Sequence, residues 1–424
     1  VQSDLQKGLS LKANMFWNSF GSIVYLGCQW LITILVVRLS TGYEDAGALA
    51  LGMAVSNVFS PIGYFKVRTY QVSDVNNRFS SGDYIGMRIL TVTMSLVVML
   101  VYGFATCSYS DLPVVFCYGL FSCGPIIVDV YHGIDQRHMR MDIIGKSLIM
   151  RGAFSLICFV GGMVLFRSLT AALLLMTIST FMIIFLYDIR QCRQFSESLR
   201  PNFSKSTILE LFGICFPMVI ALLFSSAAPS IPRQMLGEMY GPSILGIYAS
   251  VAAPVAIIQM GAQYVYAPLI GVLAEHFADR NVSKFIGTIG KVLLAMGVIM
   301  IASILLFVVI GKSLLEVLYG ADMANHADLL IPLIICTVIT ALSWFVGDVL
   351  IVIRRTKANC LMYAISFFVS IVLSYFLIWP FESNGVSFAL SIGFGAGLLY
   401  GCLCVLLACR QLRRTEQSLV VGRD

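Results

Sequence analysis

A succession of apolar stretches, each long enough for a helix to cross a bilayer, constrains this chain more than any other feature. Such a helix needs about 20 residues. Stretches of that kind recur near residues 14–37, 46–65, 89–106, 112–130, 143–165 and 169–186, and again near 208–230, 243–269, 286–310, 329–353, 359–378 and 385–408. Membrane β-strands would be about ten residues long with strict alternation, and no such pattern appears. With 58% hydrophobic and 12% charged residues, the chain lacks the polar surface to cover a water-soluble globule. The expectation is an all-α polytopic membrane protein of about 12 transmembrane helices.

The basic residues give that bundle an orientation. Of the 28 Lys and Arg residues, only Arg38, Arg167, Arg233 and Lys312 fall outside the loops of one side, taken as cytoplasmic. Both termini are therefore expected in the cytoplasm, with the protein in a bacterial inner membrane. The net charge of +6 reflects topology, so no nucleic-acid partner is expected. The polar lead VQSDLQKGLSLKA precedes an apolar stretch too long for a signal h-region, which reads as a retained first helix. The 12 cysteines are scattered and show no zinc spacing, and the four histidines sit in or beside loops. Neither a metal nor another cofactor is expected.

The polar segment IRQCRQFSESLRPNFSKS divides the spans into two groups of six. Residues 1–190 form an expected N-terminal bundle, 191–206 a cytoplasmic linker, 207–410 a C-terminal bundle and 411–424 a tail. An even number of spans per half makes the halves parallel repeats. The sequence supports duplication: Arg38 followed by LSTGYEDAGALAL in the first half matches Arg233 followed by QMLGEMYGPSILGIYAS in the second. Prolines interrupt several spans: Pro61 in the second, Pro217 in the seventh and Pro254 in the eighth. Interrupted helices at related places in two halves point to a central pathway, or to fixed packing kinks. Gly393, Gly397 and Gly401 recur every fourth residue, a pattern of close helix contact.

Charges inside a membrane are costly and are functional candidates. Asp129 closes span four, and Asp348 lies near one end of span ten, where Arg354 or Arg355 would neutralise it as an ion pair or gate. Neither has an evident second carboxylate with which to build a proton or sodium relay. His132, Asp135 and His138 form a loop cluster, read as a solvated face with general acid–base chemistry as the alternative. Arg38 and Arg233 occupy corresponding outer positions, Lys66 and Arg68 stand at the end of the kinked second span, and Arg151 lies inside the fifth. Arginine binds phosphate oxygens bidentately and keeps its charge when desolvated, so these five suit an anionic headgroup. Snorkelling to lipid phosphates is the alternative.

At these residues the chain resembles a known family. SLKANMFWNSFGSIVYLGCQWLITILVVRLSTG, SPIGYFKVRTYQVSDVNNRFSSGDYIGMRI and IPRQMLGEMYGPSILGIYASVAAPVAII are similar to spans one, two, and seven with eight of the Wzx-like oligosaccharide-lipid flippases. These belong to the multidrug/oligosaccharidyl-lipid/polysaccharide exporter superfamily. The resemblance implies a MATE-like fold of two pseudo-symmetric six-helix bundles, which rock around a cationic cavity. It also implies transport of a polyprenyl-pyrophosphate-linked oligosaccharide between leaflets, without covalent chemistry. Membrane lipids, a polysaccharide polymerase and glycosyltransferases of the same pathway are the implied partners. The pyrophosphate-binding role carries best to Arg233, then to Arg38 and Arg68. Two alternatives remain. A cation-coupled multidrug exporter of the same fold would want a membrane-embedded carboxylate in span one or seven, and none is expected there. A membrane glycan polymerase or transferase would want large soluble loops or paired acidic and histidine residues.

Overall fold

The computed structural model describes residues 8–74, 78–195 and 198–421. Lys7 and Arg423, counted among the basic loop residues, lie outside them. Among the described residues every regular element is a helix. In lipid this follows from the backbone: with no water to satisfy its amides, a spanning segment must bond to itself.

The chain divides into two compact units, Val1–Leu223 and Phe224–Asp424. The first contains α1 (Leu11–Leu39), α2 (Glu44–Tyr64), α3 (Val67–Ser73), α4 (Ser81–Thr106), α5 (Leu112–Arg137) and α6 (Met141–Phe166). It continues through α7 (Leu169–Ile183), a π-helical turn at Ile184–Asp188 and α8 (Ile189–Cys192). Helix α9 (Lys205–Tyr240) crosses the division. The second unit holds α10 (Pro242–Ala278), α11 (Val282–Tyr319), a 3-10 segment (Ala321–Leu329), α12 (Leu330–Val352) and α13 (Thr356–Val421). Ten of these helices are long and apolar enough to span a membrane, eleven when the two arms of α9 are taken as one bent span.

The twelfth span is hidden in α13. Its non-helical residue Glu382 (φ 48°, ψ −124°) interrupts the 66-residue element. The glycines beyond that point show that the chain doubles back. A Cβ on Gly385 would fall on the carbonyl of Leu377, one on Gly393 would lie 2.8 Å from the amide of Ser370, and one on Gly401 2.6 Å from the sulfur of Met362. Each step along one arm is matched by an equal step back along the other, which is an antiparallel helix hairpin. The close contact expected of Gly393, Gly397 and Gly401 is therefore present, with Ser370, Ser366 and Met362 opposite.

The boundary between units falls later than the expected 191–206 linker. Part of that linker packs onto the first unit: Asn202 donates from its backbone to the carbonyl of Gly82 at 2.9 Å and from its side chain to Asp83 at 2.6 Å. The first arm of α9 follows it, with Phe212 against Phe65 at 4.7 Å between centroids and Glu210 paired with Arg78. Helix α9 bends by 57° between Phe216 and Val219, the interval that contains Pro217. Helix α2 ends three residues after the buried Pro61, whereas α10 runs unbroken past the buried Pro254.

Within the first unit α1 packs along α6, and α2 packs on α4 and α5. Small residues set the α1–α6 distance: a Cβ on Gly21 would lie 2.6 Å from Cα of Gly145, and one on Gly152 3.0 Å from Cα of Tyr25. In the second unit α10 packs on α12 as α2 packs on α5 in the first, so each unit sets its second span on its fourth.

Candidate functional site

Polar chemistry in the first unit gathers where α2 breaks. Phe65 and Lys66 are both left-handed (φ 45° and 54°), a conformation that costs a residue with a side chain roughly 1–2 kcal/mol each. The break leaves the last carbonyls of α2 without helical partners, and one guanidinium takes them. Arg88 Nη1 donates to the carbonyls of Gly63 and Tyr64, both at 2.7 Å, while its Nη2 donates to Asp129 at 2.6 Å. Arg68, beyond the break, donates to the other oxygen of Asp129 at 3.3 Å and to Gln136 at 2.8 Å. A single carboxylate on α5 thus holds two cations at the α2–α3 break, Arg68 of α3 and Arg88 of α4.

A second cluster lies between α5, α6 and the π-turn. The extra residue of a π-turn shifts helical phase, and such turns occur frequently at functional sites. Asp188, the last residue of this turn, is fully buried. It accepts from Ser147 Oγ at 3.0 Å and lies 3.3 Å from His132 Nε2. Arg151, 2% exposed, donates to Ser147 Oγ at 3.3 Å. Asp135 is also fully buried, with Cys192 Sγ 3.4 Å from one carboxylate oxygen and the other buried without a hydrogen-bond partner among the described residues. Asp142 is paired to Arg140 at 2.8 Å and 3.0 Å.

Two expectations are corrected here. His132 and Asp135 are not on a solvated loop face: they lie on α5, whose helix runs to Arg137, and both are buried. Besides Asp129, the unit also buries Asp135, Asp142 and Asp188. Arg88, counted as a loop cation, is inside α4 and 1% exposed. Helical spacing in the sequence carried the signal: Asp129, His132, Asp135 and Gln136 recur at steps that share one helix face.

Beside these clusters lies a cavity of about 340 Å³ between α1, α2, α5 and α7. Its walls include Tyr25, Gln29, Asn57, Tyr64 and Tyr118, together with Pro125 of α5. Two of its tyrosines carry buried arginines against their rings: Arg151 stands 5.5 Å from the centroid of Tyr25 and Arg88 5.9 Å from that of Tyr64. Buried guanidinium groups therefore lie behind the wall without forming part of it.

The other expected site residues lie apart from this arrangement. Lys66 is half-buried at the break and Arg38 is exposed in the last turn of α1. Arg233 is half-buried in α9, two turns before that helix ends, with a buried Nε that has no hydrogen-bond partner among the described residues. Tyr248 and Cys336 stand within its electrostatic reach. Arg38 and Arg233 thus differ in depth, one at its helix end and the other inside. Asp348 is half-buried on α12 near Tyr266 and Tyr363. Arg354 is exposed and left-handed (φ 58°) just past the end of α12.

Comparison with known proteins gives this architecture a context. Residues 12–273 match a family model described as polysaccharide biosynthesis protein. The capsular polysaccharide biosynthesis protein CapF of Staphylococcus aureus is 24% identical over 373 residues, covering 86% of this chain and 91% of the relative. Among solved structures, the lipid II flippase MurJ in an inward closed conformation aligns with TM-score 0.71 and 13% identity, over 94% of this chain and 89% of that one. A MATE transporter of Vibrio cholerae, VcmN, aligns with TM-score 0.64 and 12% identity over 98% of both chains. The fold is that of the MATE transporters and MurJ.

Proposed function

The chain belongs to the polysaccharide biosynthesis protein family, and from that premise we propose that it is a flippase. Its cargo is a polyprenyl-pyrophosphate-linked oligosaccharide, carried from the cytoplasmic to the outer leaflet of a bacterial inner membrane by alternating access. The observation that carries this reading is a cavity whose mixed wall includes amides and hydroxyls, backed by buried arginines, inside a unit whose helices are apolar enough for lipid. A wall of hydroxyls and amides inside a membrane unit suits a hydrophilic cargo that must leave one surface for the other. No covalent step is needed; the cargo emerges unchanged. The polymerase and glycosyltransferases of the same pathway are the partners of this reading, and both termini face the cytoplasm.

The anionic headgroup is assigned to Arg233, with Arg38, Lys66 and Arg68 as secondary contacts. Arg233 has the strongest claim because its buried Nε is free to donate. Arg151 and Arg88 serve as internal struts. The test is complementation of a deletion strain. Arg233→Ala is expected to insert normally and to leave lipid-linked glycan in the cytoplasmic leaflet, with surface polysaccharide reduced at least tenfold. Wild-type surface polysaccharide from Arg233→Ala and Arg38→Ala together would remove the headgroup assignment, and normal export in the deletion strain would remove the flippase.

Cation-coupled export of drugs is a second reading, favoured by buried Asp135 and Asp188 on spans four and six; the stretch read as span seven does carry a carboxylate, Glu210, but it is paired with Arg78. Drug accumulation that rises on deletion and follows collapse of the proton gradient would support it over the first.

A further inference from the structure

The cavity wall holds chemistry that a headgroup site does not use. Among its lining residues there is no carboxylate, ammonium or guanidinium; the polar groups are amides and hydroxyls. Gln29 Nε2 is buried without a hydrogen-bond partner, and Asn57 lines the cavity with an exposed side chain. No hydrogen bond among the described residues reaches the Asn57 amide or the hydroxyls of Tyr25, Tyr64 and Tyr118. Polar groups gathered on a cavity wall without partners call for a ligand that bonds to them.

The surroundings decide which ligand. A cation finds no carboxylate on the wall to balance it. An anion finds no charged donor on the wall, because Arg88 is committed to two carbonyls and to Asp129, and Arg151 to Ser147. An apolar ligand would leave the amides unsatisfied, at about 1–3 kcal/mol for each group. What remains is a neutral ring bearing hydroxyls, with C–H faces to lie on tyrosine and O–H groups for the two amides. The volume of about 340 Å³ lies at the lower end of small-ligand sites.

We propose that this cavity is a subsite for an uncharged pyranose residue of the cargo, separate from the groups that meet its phosphates. The proposal rests on the flippase reading and adds to it where the sugar is held. It assigns Gln29 and Asn57 as hydrogen-bonding residues and Tyr25, Tyr64 and Tyr118 as the stacking wall.

Saturation-transfer NMR on the full-length protein in nanodiscs tests this, using methyl glycosides of neutral hexoses and N-acetylhexosamines as probes. At least one glycoside is expected to bind. Gln29→Leu and Asn57→Leu, each near in volume to the original, are expected to weaken that binding roughly tenfold with the thermal midpoint unchanged. Neither inorganic pyrophosphate nor tetraphenylphosphonium is expected to displace the glycoside. Should Asn57→Leu fail to fold, Asn57→Ala takes its place and trims the side chain without adding bulk. The subsite is overturned if no glycoside binds, if both leucine variants bind as the parent does, or if either ion competes. Deletion-strain export is read separately, so loss of the subsite with export still dependent on the protein leaves the flippase reading intact.

Discussion

Asp129 carries the charge balance of the α2–α3 break, because its two oxygens hold Arg88 and Arg68. Removing one partner of a buried pair leaves the other charge uncompensated, at about 3–5 kcal/mol. Asp129→Asn is therefore expected to lower the thermal midpoint in detergent strongly. Arg68→Ala should cost under about 1 kcal/mol, because its side chain is 27% exposed and Arg88 keeps its carboxylate. Equal losses from the two substitutions would contradict this division of labour. The sequence hid these residues for a physical reason. A hydropathy window finds the part of a helix that faces lipid, and α5 continues beyond its apolar run to Arg137 because the unit, not the bilayer, satisfies its charges. Asp135 was assigned to a loop on the same ground, Asp142 and Asp188 fall just outside the apolar stretches 143–165 and 169–186, and the cluster emerges only when α5, α6 and the π-turn are brought together.

At the scale of elements, the turn between α3 and α4 is held by Asp74. Burial works against its charge, but the amides of Arg78 and Phe79 and the hydroxyl of Tyr84 donate to it, and together they hold its carboxyl below the usual aspartate range. A lowered carboxyl contributes stability that is complete above about pH 3.9, the ordinary aspartate value, and is lost as pH falls through the lowered value. Asp74→Asn is expected to remove that acid-dependent part, so a titration of thermal midpoint against pH should show a flatter acid limb. In the second unit, Glu382 occupies a backbone region that glycine favours (φ 48°, ψ −124°). Relief of that strain outweighs the added freedom of the unfolded chain, so Glu382→Gly should stabilise the hairpin by about 1 kcal/mol. Gly397→Leu should do the opposite, since even a Cβ there would fall on Ser366 Oγ and lie 2.6 Å from the carbonyl of Met362. Glycine spacing made that contact legible in the sequence, whereas the turn itself carries no glycine at Glu382 and no sequence signal marked its geometry.

For the whole molecule, the succession of spans was legible because the bilayer dictates helix length. The division into units was less so. Polarity marks where a loop leaves the membrane, yet Asn202, Glu210 and Phe212 pack onto the first unit, which extends to Leu223. The basic loops predict an even number of crossings, and reporter fusions after residues 195 and 411 should both report the cytoplasmic side. Opposite locations would require an odd crossing between them. The candidate site was legible only in part: Arg68 and Arg151 stood out, whereas Arg88 was counted with the loops, and a cavity wall drawn from four helices leaves no contiguous motif.

The π-turn at Ile184–Asp188 has a consequence of its own. Its helix contains one amino acid more than an α-helical path between the same endpoints would require. Loss of a single codon there would heal the winding, keep the reading frame and leave hydropathy almost unchanged. The helix beyond the turn would keep its place, but residues inside the turn would shift by up to about 100° about the axis, and Asp188 would lose the placement that sets it against His132 and Ser147. The surplus residue works as a phase setting: a one-amino-acid deletion in this segment should be far more damaging than one in an exposed loop, although both shorten the chain equally.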